Sequence, residues 1–249
     1  YGNFELVLEY FRDQIKNPDL LEISEATLLS TERLNKTIKM MLNLGRGEDQ
    51  FRSMVSFSSP AKGRKQYAEK NYPKDHKWNA LDYKGGDLNT SIIKTNLGRT
   101  IMVQWDETSP RPYTRHNLIQ GTKGTLAGFP TRVALEGGII GVTENHHSWV
   151  KDKQLETLYE KYDHPMYKRL GALAKKMGGH GGMDFIMRYR IVECLREGIA
   201  LDQNVYEGCF WSAVSPLSEA SVAQEGMPQK FPDFTRGAWS QTKPLAIVS

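Results

Sequence analysis

The chain has 249 residues, 39% of them apolar and 25% charged, which is the balance of an ordinary globular polypeptide with room for a sizeable core. The 33 basic and 29 acidic residues leave a net charge of +4 with no dense Lys/Arg block, so no nucleic-acid partner is expected. No stretch approaches the roughly 18 uninterrupted apolar residues of a membrane span, and the opening Tyr1-Gly2-Asn3-Phe4 has neither the basic start nor the apolar run of a secretory signal.

Residues 3–15 place Phe4, Leu8, Phe11 and Ile15 at helical spacing behind Asn3 as a cap. A polar, helix-compatible stretch follows, and Asn43-Leu44-Gly45 closes it in the manner of a helix C-terminus. From Phe51 the texture changes. Residues 51–57 predict a strand and 60–70 a short helix, while 89–95 and 100–106 predict a hairpin about Asn96-Leu97-Gly98. Short strands are expected at 118–121, 124–128, 132–135 and 138–142, separated by Gly-rich turns. The last third reads as helical: 154–162, 165–177, then 183–196 with Ile186, Tyr189, Val192 and Leu195 along one face. A final helix, capped by Asp202 and carrying Val205, Phe210, Val214 and Leu217, runs to about residue 223.

Strands in succession with no helix between them predict an antiparallel sheet. The expected fold class is α+β, a largely antiparallel open sheet covered on one face by helices. A helical segment is expected over residues 1–45 and the α+β domain over 46–249. No Gly-x-Gly-x-x-Gly follows a strand, so nothing is built to hold a dinucleotide phosphate. Cys194 and Cys209 offer neither zinc spacing nor a disulfide framework. The compartment stays open.

Three clusters carry candidate chemistry. Thr108-Ser109-Pro110-Arg111-Pro112-Tyr113-Thr114-Arg115-His116 follows a strand, and its two prolines stiffen a loop that gathers Arg111, Tyr113, Arg115 and His116. The alternative is a proline-stiffened turn with exposed charges. Gly178-Gly179-His180-Gly181-Gly182-Met183-Asp184 enters a helix. Its glycines permit close backbone approach, His180 suits hydroxyl binding near neutral pH, and Asp184 suits the helix dipole. The alternative there is a flexible loop with a capping Asp. Turn chemistry explains Gly85-Gly86-Asp87 fully.

His146-His147 lacks a third metal ligand, so no metal is expected. Asp163-His164 reads as a helix cap, and Trp149, Trp211, Trp239, Tyr189 and Tyr206 read as core or docking residues before sugar platforms.

Five short stretches in order resemble the C-terminal part of glycoside hydrolase family 109, within the Gfo/Idh/MocA oxidoreductase superfamily. They are Gly86-Asp87-Leu88-Asn89-Thr90-Ser91, Thr108-Ser109-Pro110-Arg111-Pro112-Tyr113, Gln120-Gly121-Thr122-Lys123-Gly124, Gly179-His180-Gly181-Gly182-Met183-Asp184-Phe185 and Phe231-Pro232-Asp233-Phe234-Thr235-Arg236-Gly237. The resemblance covers residues 46–249, and residues 1–16 are similar to the helix with which the family's Rossmann domain ends. It implies an NAD-dependent retaining glycosidase of the α-N-acetylgalactosaminidase type, working by oxidation, elimination, addition and reduction.

The resemblance further implies a glycan or glycoside substrate and a homo-oligomer through the sheet face. The substrate-binding set it implies is Tyr113, with Arg111, His180 and Asp184 placed by motif. The family's Tyr-x-x-His-Gly-x-Gly segment has no counterpart in Leu34-Asn35-Lys36-Thr37-Ile38-Lys39-Met40-Met41-Leu42-Asn43-Leu44, and the first strand expected between residues 15 and 34 is not legible. With the nucleotide-binding half also absent from this stretch, the expectation is a domain that does not bind NAD alone and is inactive alone. The other readings are a non-catalytic carbohydrate-binding or scaffold paralogue and a sugar dehydrogenase of the same superfamily.

Overall fold

The computed structural model describes residues 44–244 apart from 107, 113, 115 and 140, with the side chains at 161 and 162 left out, and adds the backbone of residues 22–25. In chain order the elements are β1 (Glu22–Glu25), β2 (Phe51–Ser58), α1 (Gly63–Asn71), β3 (Leu88–Thr95), β4 (Thr100–Asp106), β5 (Asn117–Gly121), β6 (Gly124–Gly128), β7 (Arg132–Leu135) and β8 (Val150–Lys151). Then come α2 (Glu156–Tyr162), α3 (Pro165–Met177), α4 (Met183–Glu197), α5 (Val205–Ser212), α6 (Val214–Ala223) and β9 (Gln229–Lys230).

The strands form one sheet in the order β8-β7-β6-β5-β1-β4-β3-β2-β9, antiparallel at every pairing except β1 with β4. Period-two alternation explains its two faces. In register, Met54, Ile93, Ile101, Ile23, Ile119, Leu126, Val133 and Val150 form a single row across the sheet. Apart from Ile23, whose backbone alone is described, every residue of that row is buried. Each such side chain contributes about 1.5–3 kcal/mol when fully removed from water.

Helices close this face. Phe210, Trp211 and Val214 of α5 and α6 enter the core, as does Leu158 of α2. Phe51 stacks on Phe210 at 4.2 Å and meets Phe231 at 5.0 Å. The neighbouring row on the other face runs Val55, Ile92, Met102, Ser24, Leu118, and there Ile92 is exposed. At the sheet's end the fully buried guanidinium of Arg99 meets Asp49 at 3.1 Å and Glu48 at 2.6 Å. Asp49 also accepts from the Leu97 amide at 3.0 Å, which pins the β3–β4 turn.

The α+β expectation holds, and four details are corrected. A strand is present where none was legible: Glu22–Glu25 lies between β4 and β5 and pairs with both. Among the described residues of 138–142 there is no strand, because Gly138 at φ +71° turns the chain so that Ile139 bridges back to Thr143. The expected helix from 202 to 223 is two helices. Asn204, not Asp202, caps the first by accepting the Glu207 amide at 3.0 Å, while Glu207 accepts the Asn204 amide at 2.8 Å. The break falls at Ala213, where Pro216 in the first turn of α6 cannot continue a ladder from α5.

The α4 stripe is the fourth correction. Val192 and Leu195 are exposed and Cys194 is the buried residue of that helix. The expected helix over 3–15 and the closure of a helix at Asn43 lie outside the described residues.

Candidate functional site

The loop after β4 hangs on Asp106. One carboxylate oxygen accepts the amides of Thr108 at 3.2 Å and Ser109 at 3.0 Å, a short-range turn that Asp followed by small polar residues favours. The other stands 3.5 Å from the Arg111 guanidinium, and the Asp106 side chain is 5% exposed. Burial works against ionising this carboxyl, but the Ser109 and Thr108 hydrogen bonds and the Arg111 charge hold it below the ordinary range. Farther on, Thr114 Oγ1 accepts the His116 amide at 3.1 Å. Tyr113 and Arg115 lie outside the described residues.

The second cluster is the turn between α3 and α4. Gly178, Gly179, Gly181 and Gly182 all take positive φ, and so does His180 at +47°. Glycine adopts that region at little cost, whereas a side chain there costs about 1 kcal/mol or more. The imidazole is kept between glycines in this region, which His enters more readily than most side chains. His180 Nδ1 lies 2.9 Å from Asp184 Oδ2, with the imidazole 66% exposed. When Nδ1–H donates to the carboxylate, neutral His180 presents Nε2 as a lone-pair acceptor toward solvent.

Thus Arg111 pairs with Asp106 and His180 with Asp184, as two separate pairings on different elements. The glycine turn opens α4 and so has the outline of a phosphate-binding loop. Its geometry does not fit one. A Cβ on Gly179 would stand 2.9 Å from the Asp184 carboxylate, and one on Gly182 would stand 2.6 Å from the Ala174 backbone. These glycines serve close packing, and a carboxylate sits where a pyrophosphate needs amides.

Other motifs resolve into structure. Asp87 accepts the amides of Lys62 and Gly63, both at 2.8 Å, and so holds the start of α1. Asp233 gathers the Thr235 amide at 2.9 Å and the Gly237 amide at 2.7 Å to shape the last turn. Gln120 to Gly124 spans the β5–β6 hairpin. His164 caps α3 by accepting the Met166 amide at 3.1 Å. Trp211 is core, and Trp149 lies under the Arg132 guanidinium at 5.1 Å. Among the described residues no group of three His, Cys, Asp or Glu is placed to hold a metal, and no helix is long and apolar enough to cross a membrane. Cys194 and Cys209 are both free thiols.

The sequence reading missed a third feature. A cleft of about 500 Å³ opens between α1 and the following loop, lined by Arg64, Tyr67, Trp78, Leu81, Tyr83 and, from the β4 loop, Thr108. Only the clustering of Tyr67, Tyr72, Trp78 and Tyr83 in an otherwise polar stretch could have signalled it.

Comparison with known proteins identifies the family and the fold. Residues 24–241 match the family described as "Glycosyl hydrolase 109, C-terminal domain". Glycosyl hydrolase family 109 protein 1 of Akkermansia muciniphila is 66% identical over 212 residues, covering 85% of this chain and 44% of that protein. A family 109 protein of Shewanella amazonensis is 56% identical over 211 residues, covering 85% of this chain and 45% of that protein. The chain therefore spans less than half the length of these relatives.

Among solved structures, levoglucosan dehydrogenase in complex with NADH and L-sorbose superposes with a TM-score of 0.61 at 12% identity, over 94% of this chain and 64% of that one. An oxidoreductase domain protein of Kribbella flavida gives 0.56 at 10% identity, over 92% and 64%. These two likenesses speak for the fold alone. With the family model matched across residues 24–241, this chain belongs to glycosyl hydrolase family 109, as its C-terminal domain, built on the fold of the Gfo/Idh/MocA oxidoreductases.

Proposed function

We propose that this chain is the sugar-facing half of an NAD-dependent retaining glycosidase of the α-N-acetylgalactosaminidase type, with the nucleotide held by a part of the protein outside these residues. The observation that carries the reading is family membership over residues 24–241. Support also comes from a fold shared with a sugar dehydrogenase solved with NADH, and from the packed glycine turn, which leaves no phosphate cradle. Alone, the chain neither binds NAD nor turns over substrate.

Its own chemistry is to bind and orient the sugar. Arg111 and Tyr113 meet hydroxyls from a stiff loop, where little freedom is lost on binding. Asp184 fixes the His180 ring so that Nε2 accepts from a hydroxyl. The sheet face bearing Val55, Ile92 and Met102 pairs with a second copy of the protein. Its support is the apolar row in which Ile92 is 39% exposed, and light scattering that finds a strict monomer at tens of micromolar would remove it.

The test is a full-length protein carrying this domain, assayed on p-nitrophenyl α-N-acetylgalactosaminide with NAD. Tyr113→Phe removes one hydrogen bond of about 0.5–1.5 kcal/mol, so kcat/KM should fall about 2- to 10-fold with the melting temperature unmoved. An unchanged kcat/KM takes Tyr113 out of the site. No hydrolysis by the wild type overturns the glycosidase reading itself.

A further inference from the structure

We propose that the cleft beside α1 is a second carbohydrate subsite, taking the sugar ring joined to the one bound near Arg111; this rests on the glycosidase reading. Three flat rings, Tyr67, Trp78 and Tyr83, line it with Arg64 and Thr108. Tyr67 is 60% exposed and Trp78 is 39% exposed. Large aromatic faces left to water are costly unless something covers them.

The wall is held rigid before any ligand arrives. Trp78 meets the Tyr72 ring edge-on at 4.6 Å, and Tyr72 stacks on His76 at 4.5 Å. Tyr83 donates its hydroxyl to the Trp78 carbonyl at 3.0 Å, and Asn79 ties the loop to the Pro73 carbonyl at 2.8 Å. Such order lowers the cost of binding.

Position links the cleft to the first site. Thr108 lines the cleft, and its amide binds the same Asp106 carboxylate that pairs with Arg111. The cleft and Arg111 are thus tied to one anchored loop.

The lining chemistry selects the ligand class. A pyranose offers an apolar C–H face to an aromatic ring and hydroxyls to a few donors, and it needs little else. A phosphate group would require a cluster of cations, whereas among the lining residues Arg64 is the one cation. The volume of about 500 Å³ suits a sugar unit, since small-molecule pockets run to roughly 300–1,000 Å³.

Calorimetric titration of this chain with the disaccharide α-N-acetylgalactosaminyl-1,3-galactose, beside methyl α-N-acetylgalactosaminide, tests the proposal. Trp78→Ala should weaken the disaccharide about tenfold more than the methyl glycoside, and Trp78→Phe should recover most of the loss. Tyr67→Ala, at an exposed position, should act in the same direction and serves if Trp78→Ala fails to fold. Equal loss for both sugars, no loss for either, or no binding of the disaccharide at millimolar concentration overturns the subsite. A Trp78→Ala change in solution mass with sugar affinity intact would make the cleft a protein interface and overturn it too. Disaccharide binding that depends on Trp78 upholds the subsite even where a full-length protein hydrolyses nothing, so the two readings fail separately.

Discussion

The loop after β4 and the turn before α4 both place polar side chains at the surface, yet they are held by different physics. Asp106 holds the first through amide hydrogen bonds and the Arg111 charge. The second is held by shape, with positive φ through Gly178, Gly179, His180, Gly181 and Gly182 and with Gly182 pressed on the backbone of α3. A loop held by charge answers to pH and forgives small changes in volume. A turn held by shape ignores pH and does not forgive a methyl group.

The largest effect should come from Gly182→Ala. A Cβ there would stand 2.6 Å from the Ala174 carbonyl carbon at φ +100°, so backbone rather than a flexible side-chain end must move. The expected loss is about 2–4 kcal/mol, a fall of about 5–15 °C in melting temperature, equal at pH 5 and pH 8. A fall that varies with pH would break the contrast.

Asp106→Asn comes next. Losing a buried, hydrogen-bonded charge costs about 1–3 kcal/mol. The native carboxyl titrates below its ordinary value, so its stabilisation is complete above the unfolded value of about 3.9 and is lost as pH falls through the lower folded one. Melting curves of native and variant protein should therefore differ most at neutral pH and converge in acid. A difference that holds constant below pH 3 would show the carboxylate to be a spacer.

His180→Gly should move stability least. The exposed hydrogen bond with Asp184 contributes about 0–1 kcal/mol, and relief of φ +47° returns a similar amount. The melting temperature should stay within about 3 °C, while sugar turnover by a full-length protein falls. A large destabilisation with intact turnover would recast His180 as structural.

Strands 51–58 through 132–135 were legible because alternation is local and strong, and so was the packing of helices on one face. The Glu22–Glu25 strand was not. Four residues reading Glu-Ile-Ser-Glu carry no period, and their partners at Thr100 and Gln120 are distant in sequence. The break at Ala213 was legible in Pro216 had its place in a first turn been weighed. Of the candidate site, Arg111, His180 and Asp184 were nameable from motif, and the structure pairs Arg111 with Asp106 and His180 with Asp184. The Asp106 anchor and the Trp78 wall were not, because each acts through neighbours that only folding supplies.

Strand β1 has a consequence for how the sheet assembles. It is the seam between β9-β2-β3-β4 and β5-β6-β7-β8, and β4 and β5 meet only through it. Within each set of strands the pairings are largely between chain neighbours and can form early. The seam must close a long loop first, so it belongs to the slow part of folding. Until it closes, β4 and β5 each present an unpaired edge, an invitation to pair with another molecule. A segment of four residues therefore guards against misassembly far more than its length suggests.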